Sequence, residues 1–224
     1  MKQYNKMWSD YHTRIENQTG KQVSVQQMMK MISGVNRQDP EEENKDTSLF
    51  IDYYVKTGLS KVEEGCQFMS LLLDNDAKFL WYVHHKSVLT EYENYLKKNK
   101  VNYLKIDGST RDKGWYINFQ NDPKIKVALL SITAAYQGIT MTASSIVVFA
   151  EYYWTPGVMT QAEDRVHRVS QTQKVTIYYL HCNDSLDLHM SKYILNKDRV
   201  TSNALDNKSS DYRYFNHNSV KFNS

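Results

Sequence analysis

Apolar and polar positions change rhythm along this chain. From Ser48, the residues Leu49, Phe50, Tyr53 and Tyr54 recur at helical spacing. Thr57-Gly58 breaks that run, and Val62, Cys66, Met69, Leu72 and Leu73 mark a second helix. Beyond Asp76 the texture becomes strand, helix, strand. Lys78 to His84, Lys126 to Ser131, Ser145 to Ala150 and Val175 to Leu180 are continuous apolar runs bounded by polar residues, with a shorter strand over Tyr103 to Ile106. Runs apolar on both faces read as buried parallel strands. Val88 to Leu96, Trp115 to Phe119, Gly157 to Val169 and Leu186 to Leu195 fit helices between them. This alternation predicts an open α/β sheet with right-handed crossovers, whose ligands gather at the carboxyl ends of the strands.

The flanks read differently. Residues 1–47 are polar with scattered Met, and the modest helical pattern from Gln22 to Ile32 is interrupted by the acidic segment Gln38-Asp39-Pro40-Glu41-Glu42-Glu43. The expected organisation is therefore a polar helical appendage and linker over 1–47, a helical lead-in over 48–76, an α/β lobe over 77–202 and a disordered tail over 203–224.

Composition narrows the setting. At 224 residues the chain is long enough to bury a true core, and a net charge of +3 permits nucleic acid as a partner without arguing for it. Cys66 and Cys182 stand far apart with no metal-ligand spacing, which makes a reducing interior the default. No apolar run approaches a membrane span, and Met1-Lys2-Gln3-Tyr4 begins nothing like a signal peptide.

The run from Gln161 to Gln171, Gln-Ala-Glu-Asp-Arg-Val-His-Arg-Val-Ser-Gln, carries the most specific chemistry. On a helix, Arg165 and Arg168 lie one turn apart on the same face, and each planar guanidinium can grip phosphate oxygens bidentately. An arginine delivered to a leaving γ-phosphate is worth roughly three to five decades in rate. A charged face paired to Glu163 and Asp164 is the bland alternative for an isolated Arg-x-x-Arg. Likewise Ser109, Thr133 and Thr140, taken singly, suit helix caps, Gly138 suits a turn, and His84-His85 suits a polar strand end. Trp154 and Pro156 suit core packing and a helix start, and most tyrosines fall where strands need bulk.

Taken together, however, Asp107-Gly108-Ser109-Thr110 after one strand, Ser131-Ile132-Thr133-Ala134-Ala135-Tyr136-Gln137-Gly138-Ile139-Thr140 after the next, Phe149-Ala150-Glu151 leading to Trp154-Thr155-Pro156, and finally Gln161 to Gln171 resemble the second RecA-like lobe of Swi/Snf-type DNA translocases. The match runs in family order from about Ser48 to Val200. Within the family, His84-His85, the Phe-Ala-Glu run and the approach Lys56-Thr57-Gly58-Leu59-Ser60-Lys61-Val62 look most like the annealing helicases, the HARP-type proteins and their zinc-finger relative.

The resemblance implies a RecA-like parallel sheet with flanking helices. It implies that Arg165 and Arg168 are catalytic groups reaching ATP across an interlobe cleft, Arg168 in the arginine-finger place. Gln161 and Gly138 would join them at the nucleotide. His84, His85, Gly108, Ser109, Thr110, Ser131, Thr133 and Thr140 would meet a DNA backbone, duplex or fork, with little regard for base sequence. The implied cofactors are ATP and Mg2+, held mainly by a first RecA-like lobe in cis or in trans; the expected site of action is the nucleus, in DNA rewinding and replication-fork repair, with no membrane partner.

The chain departs from the family in having no phosphate loop and no Asp-Glu metal motif. It is expected to be half an active site: a fragment, a separately encoded lobe or a degenerate copy, inactive alone. Arg111 and Lys113 are both candidates for one family arginine, and Ser170 stands where the family has glycine. A non-enzymatic DNA-binding or regulatory lobe, an RNA helicase and a chromatin-remodelling fragment are the rival readings.

Overall fold

The computed structural model describes residues 45–110, 114–134, 141–166, 168, 171–183 and 185–194. Residues 1–44 of the appendage expected over 1–47, the tail over 203–224, and the site candidates Gly138, Thr140, Arg111, Lys113 and Ser170 lie outside the described residues.

Two helices lead in, α1 (Lys45–Ser60) and α2 (Val62–Asp74). The α/β series follows as β1 (Phe79–Val83), α3 (Lys86–Lys98), β2 (Tyr103–Ile106), α4 (Trp115–Asn121), β3 (Val127–Ser131), β4 (Ile146–Phe149), α5 (Pro156–Glu163) and β5 (Thr176–Tyr179), with residues 186–194 helical after it. The strands form one parallel sheet in the order β2-β3-β1-β4-β5. Of the four runs apolar on both faces, one becomes the central strand β1 and another its neighbour β3, and every residue of these two strands is buried. Fully burying such a side chain contributes about 1.5–3 kcal/mol, so the centre of the sheet is fixed by these two segments before any polar contact is made.

Alternation along β1 divides the core. Leu80 and Tyr82 face one cluster with Phe50, Tyr53 and Tyr54 of α1, Trp115 and Phe119 of α4, and Val158 and Met159 of α5. Phe79, Trp81 and Val83 face the other, with Phe68, Met69 and Leu72 of α2 and Val88, Tyr92 and Leu96 of α3. Helices therefore cover both faces, the RecA-like layering that the resemblance implied.

Two helix boundaries differ from the sequence expectation. Thr57-Gly58 does not end α1, which continues to Ser60 with the Thr57 hydroxyl donating to the Tyr53 carbonyl at 3.0 Å. Gly58 is instead a contact point. A Cβ there would stand 2.2 Å from Glu151 Oε1 and 2.9 Å from Val88 Cγ2, so only glycine lets α1 lie this close across the ends of β4 and α3. The break falls at Lys61, whose buried ammonium turns inward to the Leu180 carbonyl at 3.1 Å and the Asp187 carboxylate at 2.8 Å.

The second difference concerns the arginines. The helix expected from Gly157 to Val169 ends at Glu163, and Arg165 and Arg168 lie beyond it. Past that end the carbonyls serve other segments: that of Arg165 accepts from Met141 N–H at 2.9 Å, and that of Val166 from the Gln171 amide at 3.4 Å. Val166 N–H closes back on Glu163 at 3.1 Å in a tighter turn.

Candidate functional site

Chain order makes the carboxyl edge of the sheet a site. From β1 the chain leaves through α3 toward β2 on one side, and from the adjacent β4 it leaves through α5 toward β5 on the other. Diverging connections between neighbouring strands open a crevice at that point. The loops entering the crevice are His84-His85 after β1 and Glu151 to Thr155 after β4.

Glu151 organises the crevice floor. Its carboxylate is buried, yet Oε2 accepts from the N–H groups of His84 at 2.7 Å and His85 at 2.8 Å, while Oε1 lies 2.6 Å from His85 Nδ1. Burial alone would push this carboxyl up. The His85 hydrogen bond and charge, with help from Lys61, outweigh it and hold the group below the usual carboxylate range. Above it, rings pack closely: Tyr54 stacks on His84 at 5.4 Å and meets His85 edge-on at 4.3 Å, while Trp154 stands 5.0 Å from His84 and 4.4 Å from Tyr153. The Tyr54 hydroxyl donates to the Tyr152 carbonyl.

Along the same edge, Ser131 ends β3 opposite Val83 of β1. Its hydroxyl lies 3.2 Å from that of Thr133, which is exposed. After β2, Asp107 closes a tight turn, accepting at Oδ1 from the Ser109 N–H at 2.9 Å and the Ser109 hydroxyl at 2.5 Å, while Thr110 Oγ1 accepts from Asp107 N–H at 3.0 Å. The Ser109 hydrogen bonds depress the Asp107 carboxyl. Gly108 is exposed with open space around it, so its role is not to relieve crowding.

The arginine arc lies beyond α5. Arg165 is 4% exposed; burial holds its guanidinium below the ordinary range, against the opposing effect of the Tyr82 hydroxyl, and the charge of Arg168 adds to the lowering. Arg168 is exposed, its Nε donating to the Asp164 carbonyl at 3.1 Å. The expectation that both occupy one helix face is thus corrected: with α5 ended at Glu163, one arginine turns into the protein and the other toward solvent. Gln161 is exposed near the end of α5.

Gln171 ties the arc down. Its side-chain amide donates to the carbonyls of Ser144 at 2.8 Å, Thr142 at 3.3 Å and Val166 at 3.4 Å. Gln120 of α4 supports the same stretch by accepting from Ala143 N–H at 2.7 Å. Residues 141–144, which precede β4, are therefore joined to Arg165, Val166 and Gln171 beyond α5.

Of the residues singled out from sequence, the structure brings His84 and His85 together with Glu151 and Trp154, and Ser131 together with Thr133. Thr110, Ser109 and Gly108 form their own turn at the end of β2. Glu151 and Gln171 were legible only as letters of motifs. The signal for Glu151 was a carboxylate directly after a strand whose other residues are apolar, a place where an acid requires built partners.

The helicase conserved C-terminal domain family matches residues 60–170. Similar relatives include the human DNA annealing helicase and endonuclease ZRANB3, 42% identical over 159 residues, which cover 69% of this chain and 15% of that protein. The SWI/SNF-related matrix-associated actin-dependent regulator of chromatin subfamily A-like protein 1 of Xenopus tropicalis is 40% identical over 156 residues, 68% of this chain and 17% of that protein. The chain thus spans about a sixth of the length of these curated relatives. In fold, the crystal structure of the C-terminal part of the Fun30 ATPase domain is similar with a TM-score of 0.56, at 21% identity, over 75% of this chain and 64% of that one. Through the segment 60–170 and its likeness to these relatives, the chain belongs to the helicase conserved C-terminal domain family of Swi/Snf type.

Proposed function

We propose that this chain is the C-terminal motor lobe of an ATP-dependent DNA translocase that anneals DNA. The observation that carries the reading is the exposed Arg168 at the end of an arc stitched by Gln171 and Met141 to residues 141–144. A first RecA-like lobe, in cis or in trans, holds ATP and Mg2+. When the lobes close, Arg168 meets the γ-phosphate and offsets the charge that spreads over its oxygens as the bond breaks. Arg165, Gln161 and Gly138 complete this lobe's side of the nucleotide site.

Guanidinium donors suit phosphate oxygens rather than a cation, and no group of three His, Cys, Asp or Glu able to hold a metal occurs among the described residues. Mg2+ therefore belongs to the first lobe in this reading, and the chain alone turns over no ATP. His84, His85, Gly108, Ser109, Thr110, Ser131, Thr133 and Thr140 face DNA phosphates, duplex or fork. The names of the relatives, a DNA annealing helicase and a regulator of chromatin, support an annealing output and work in the nucleus; in this reading the DNA acted on is a fork under repair. No helix among the described residues is long and apolar enough to cross a membrane.

The test mixes the full chain with the first RecA-like lobe of an annealing helicase and follows ATP hydrolysis with and without duplex DNA. DNA-stimulated turnover above that of the first lobe alone is expected, and Arg168→Ala lowers it by roughly three decades. No gain over the first lobe, or a gain indifferent to Arg168→Ala, overturns the motor reading.

A further inference from the structure

Two effects oppose an acid at position 163. Glu163 is the last residue of α5 and only 6% exposed, so it has given up water at the helix end that carries partial negative charge. A side chain so placed needs a built partner. The Tyr179 hydroxyl supplies one, donating to Glu163 Oε1. Tyr179 is itself held by the sheet: it pairs with Phe149 of β4, which pairs with Tyr82 of β1, and the three rings stack at 5.0 and 5.1 Å. Tyr152 stacks on the Tyr179 ring as well, at 5.7 Å.

Chain order gives this bond its meaning. The chain leaves α5 at Glu163 and rejoins the sheet at Thr176, the first residue of the strand that ends at Tyr179. One hydrogen bond thus fastens the exit of the segment carrying Arg168 to the strand at its return. The Glu163 carbonyl accepts from Val166 N–H at 3.1 Å, and the carbonyl of the next residue, Asp164, accepts from Arg168 Nε at 3.1 Å. Moving Glu163 therefore moves the acceptor that orients the guanidinium.

We infer that Glu163 and Tyr179 are positioning residues, a clasp between α5 and β5 that holds the Asp164 carbonyl where it aims Arg168. The inference rests on the motor reading of Arg168 and adds to it a pair that acts through the arginine rather than on the nucleotide. Misplacing a reacting group by about 1 Å costs as much as a hundredfold in rate. The clasp is accordingly expected to show in turnover and not in nucleotide affinity.

The experiment uses the full chain. Tyr179→Phe keeps the stacked ring and removes only the hydroxyl; adding Glu163→Met makes both partners apolar and returns the melting temperature to that of wild type. Amide hydrogen exchange then reads the clasp. Val166 and Gln171, whose N–H groups donate to the carbonyls of Glu163 and Arg168, are expected to exchange roughly tenfold faster in the double variant, while the amides of β1 keep their wild-type rates. ATP turnover with the first RecA-like lobe of an annealing helicase and duplex DNA reads the consequence. Both variants are expected to lower kcat by roughly ten- to a hundredfold with the KM for ATP unchanged. In an Arg168→Ala background the same substitutions cost nothing further, because the guanidinium they orient is gone.

Exchange at Val166 and Gln171 equal to that of wild type overturns the clasp. Where the double variant melts below wild type, the Arg168→Ala background decides, since lost stability lowers turnover in both backgrounds alike. A fall in kcat of the same size with and without Arg168, or an unchanged kcat, overturns the positioning of Arg168 and leaves the motor reading intact. Wild type without DNA-stimulated turnover overturns the motor reading and the positioning of Arg168 with it, and the exchange rates alone then decide whether the clasp holds.

Discussion

Replacing Gly58 by alanine opposes two well-defined effects. Near the end of a helix, Gly→Ala stabilises by up to about 1 kcal/mol through backbone entropy. Against this, the new Cβ would lie 2.2 Å from Glu151 Oε1, 2.9 Å from Glu151 Cδ and 2.9 Å from Val88 Cγ2. The first of these falls more than ~1 Å inside any van der Waals separation. Glu151 cannot retreat cheaply, since each oxygen is committed at 2.6–2.8 Å to His84 or His85. Relief comes either by losing a charge-assisted hydrogen bond, costing about 1.5–3 kcal/mol, or by lifting α1 from the crevice, an overpacking cost of about 1–3 kcal/mol. The net expectation is a loss of roughly 1–2 kcal/mol, which lowers the melting temperature by about 2–8 °C in a chain of this size.

Urea unfolding of the full chain, followed by fluorescence of buried Trp81 and Trp115, measures the loss. Gly157→Ala is the control. Gly157 lies in the first turn of α5 with nothing within 4 Å of its would-be Cβ, so alanine there is neutral or stabilising by up to ~1 kcal/mol. In a Glu151→Ala background the carboxylate is gone and the cost of Gly58→Ala falls. A Gly58→Ala variant as stable as wild type refutes the reasoning, as does an equal cost in both backgrounds.

Two further outcomes follow from buried charge. Lys61→Met strands Asp187, 2% exposed at its side chain, and is expected to cost about 3–5 kcal/mol; Lys61→Met with Asp187→Asn, which keeps an acceptor for the Cys182 N–H, recovers most of it in the same urea titration. Glu93 resists burial through hydrogen bonds from Lys97, Lys105 and Tyr103, which pull its carboxyl from 4.5 to about 2. Its folded value lies below its unfolded one, so its contribution is complete above pH 4.5 and disappears as pH falls toward 2. The stability gap between wild type and Glu93→Gln, on the order of 1–2 kcal/mol after screening of the exposed Lys97, is expected to stay constant down to the ordinary carboxylate range and then close.

The sheet was legible because its physics is local to each strand. Continuous apolar runs announced β1 and β3, and their burial on both faces follows. What escaped the sequence depends on partners distant along the chain. Gly58 reads as a breaker until Glu151, far downstream, is known to lie against it. The end of α5 was invisible because Glu163 to Arg168 is a respectable helical sequence, and the carbonyls are drawn off by Met141 and Gln171. Turns hid as well: Asp76 and Lys100 take positive φ of 53° and 55° where glycine is the usual signal. Each follows an asparagine, Asn75 or Asn99, whose amide closes on a helix carbonyl at 2.7 or 2.8 Å.

That same displacement of Arg165 and Arg168 from a helix changes what lobe closure can deliver. Two arginines on one helical face would arrive at a phosphate together, as a rigid pair. Here Arg168 stands in solvent while Arg165 is 4% exposed beside the central strand, under Tyr82. In the proposed motor reading, a nucleotide presented from outside meets Arg168 first, and engaging Arg165 requires the arc to shift. The arc shifts only with residues 141–144, because Gln171 holds Thr142, Ser144 and Val166 at once and Met141 holds the Arg165 carbonyl. Those residues lead into β4, which ends at Phe149, two residues before Glu151 and the histidine crevice. The proposed phosphate site on one side of the lobe and the strand ends on the other are therefore linked through one backbone hydrogen bond, from Met141 to Arg165, and three from the Gln171 side chain.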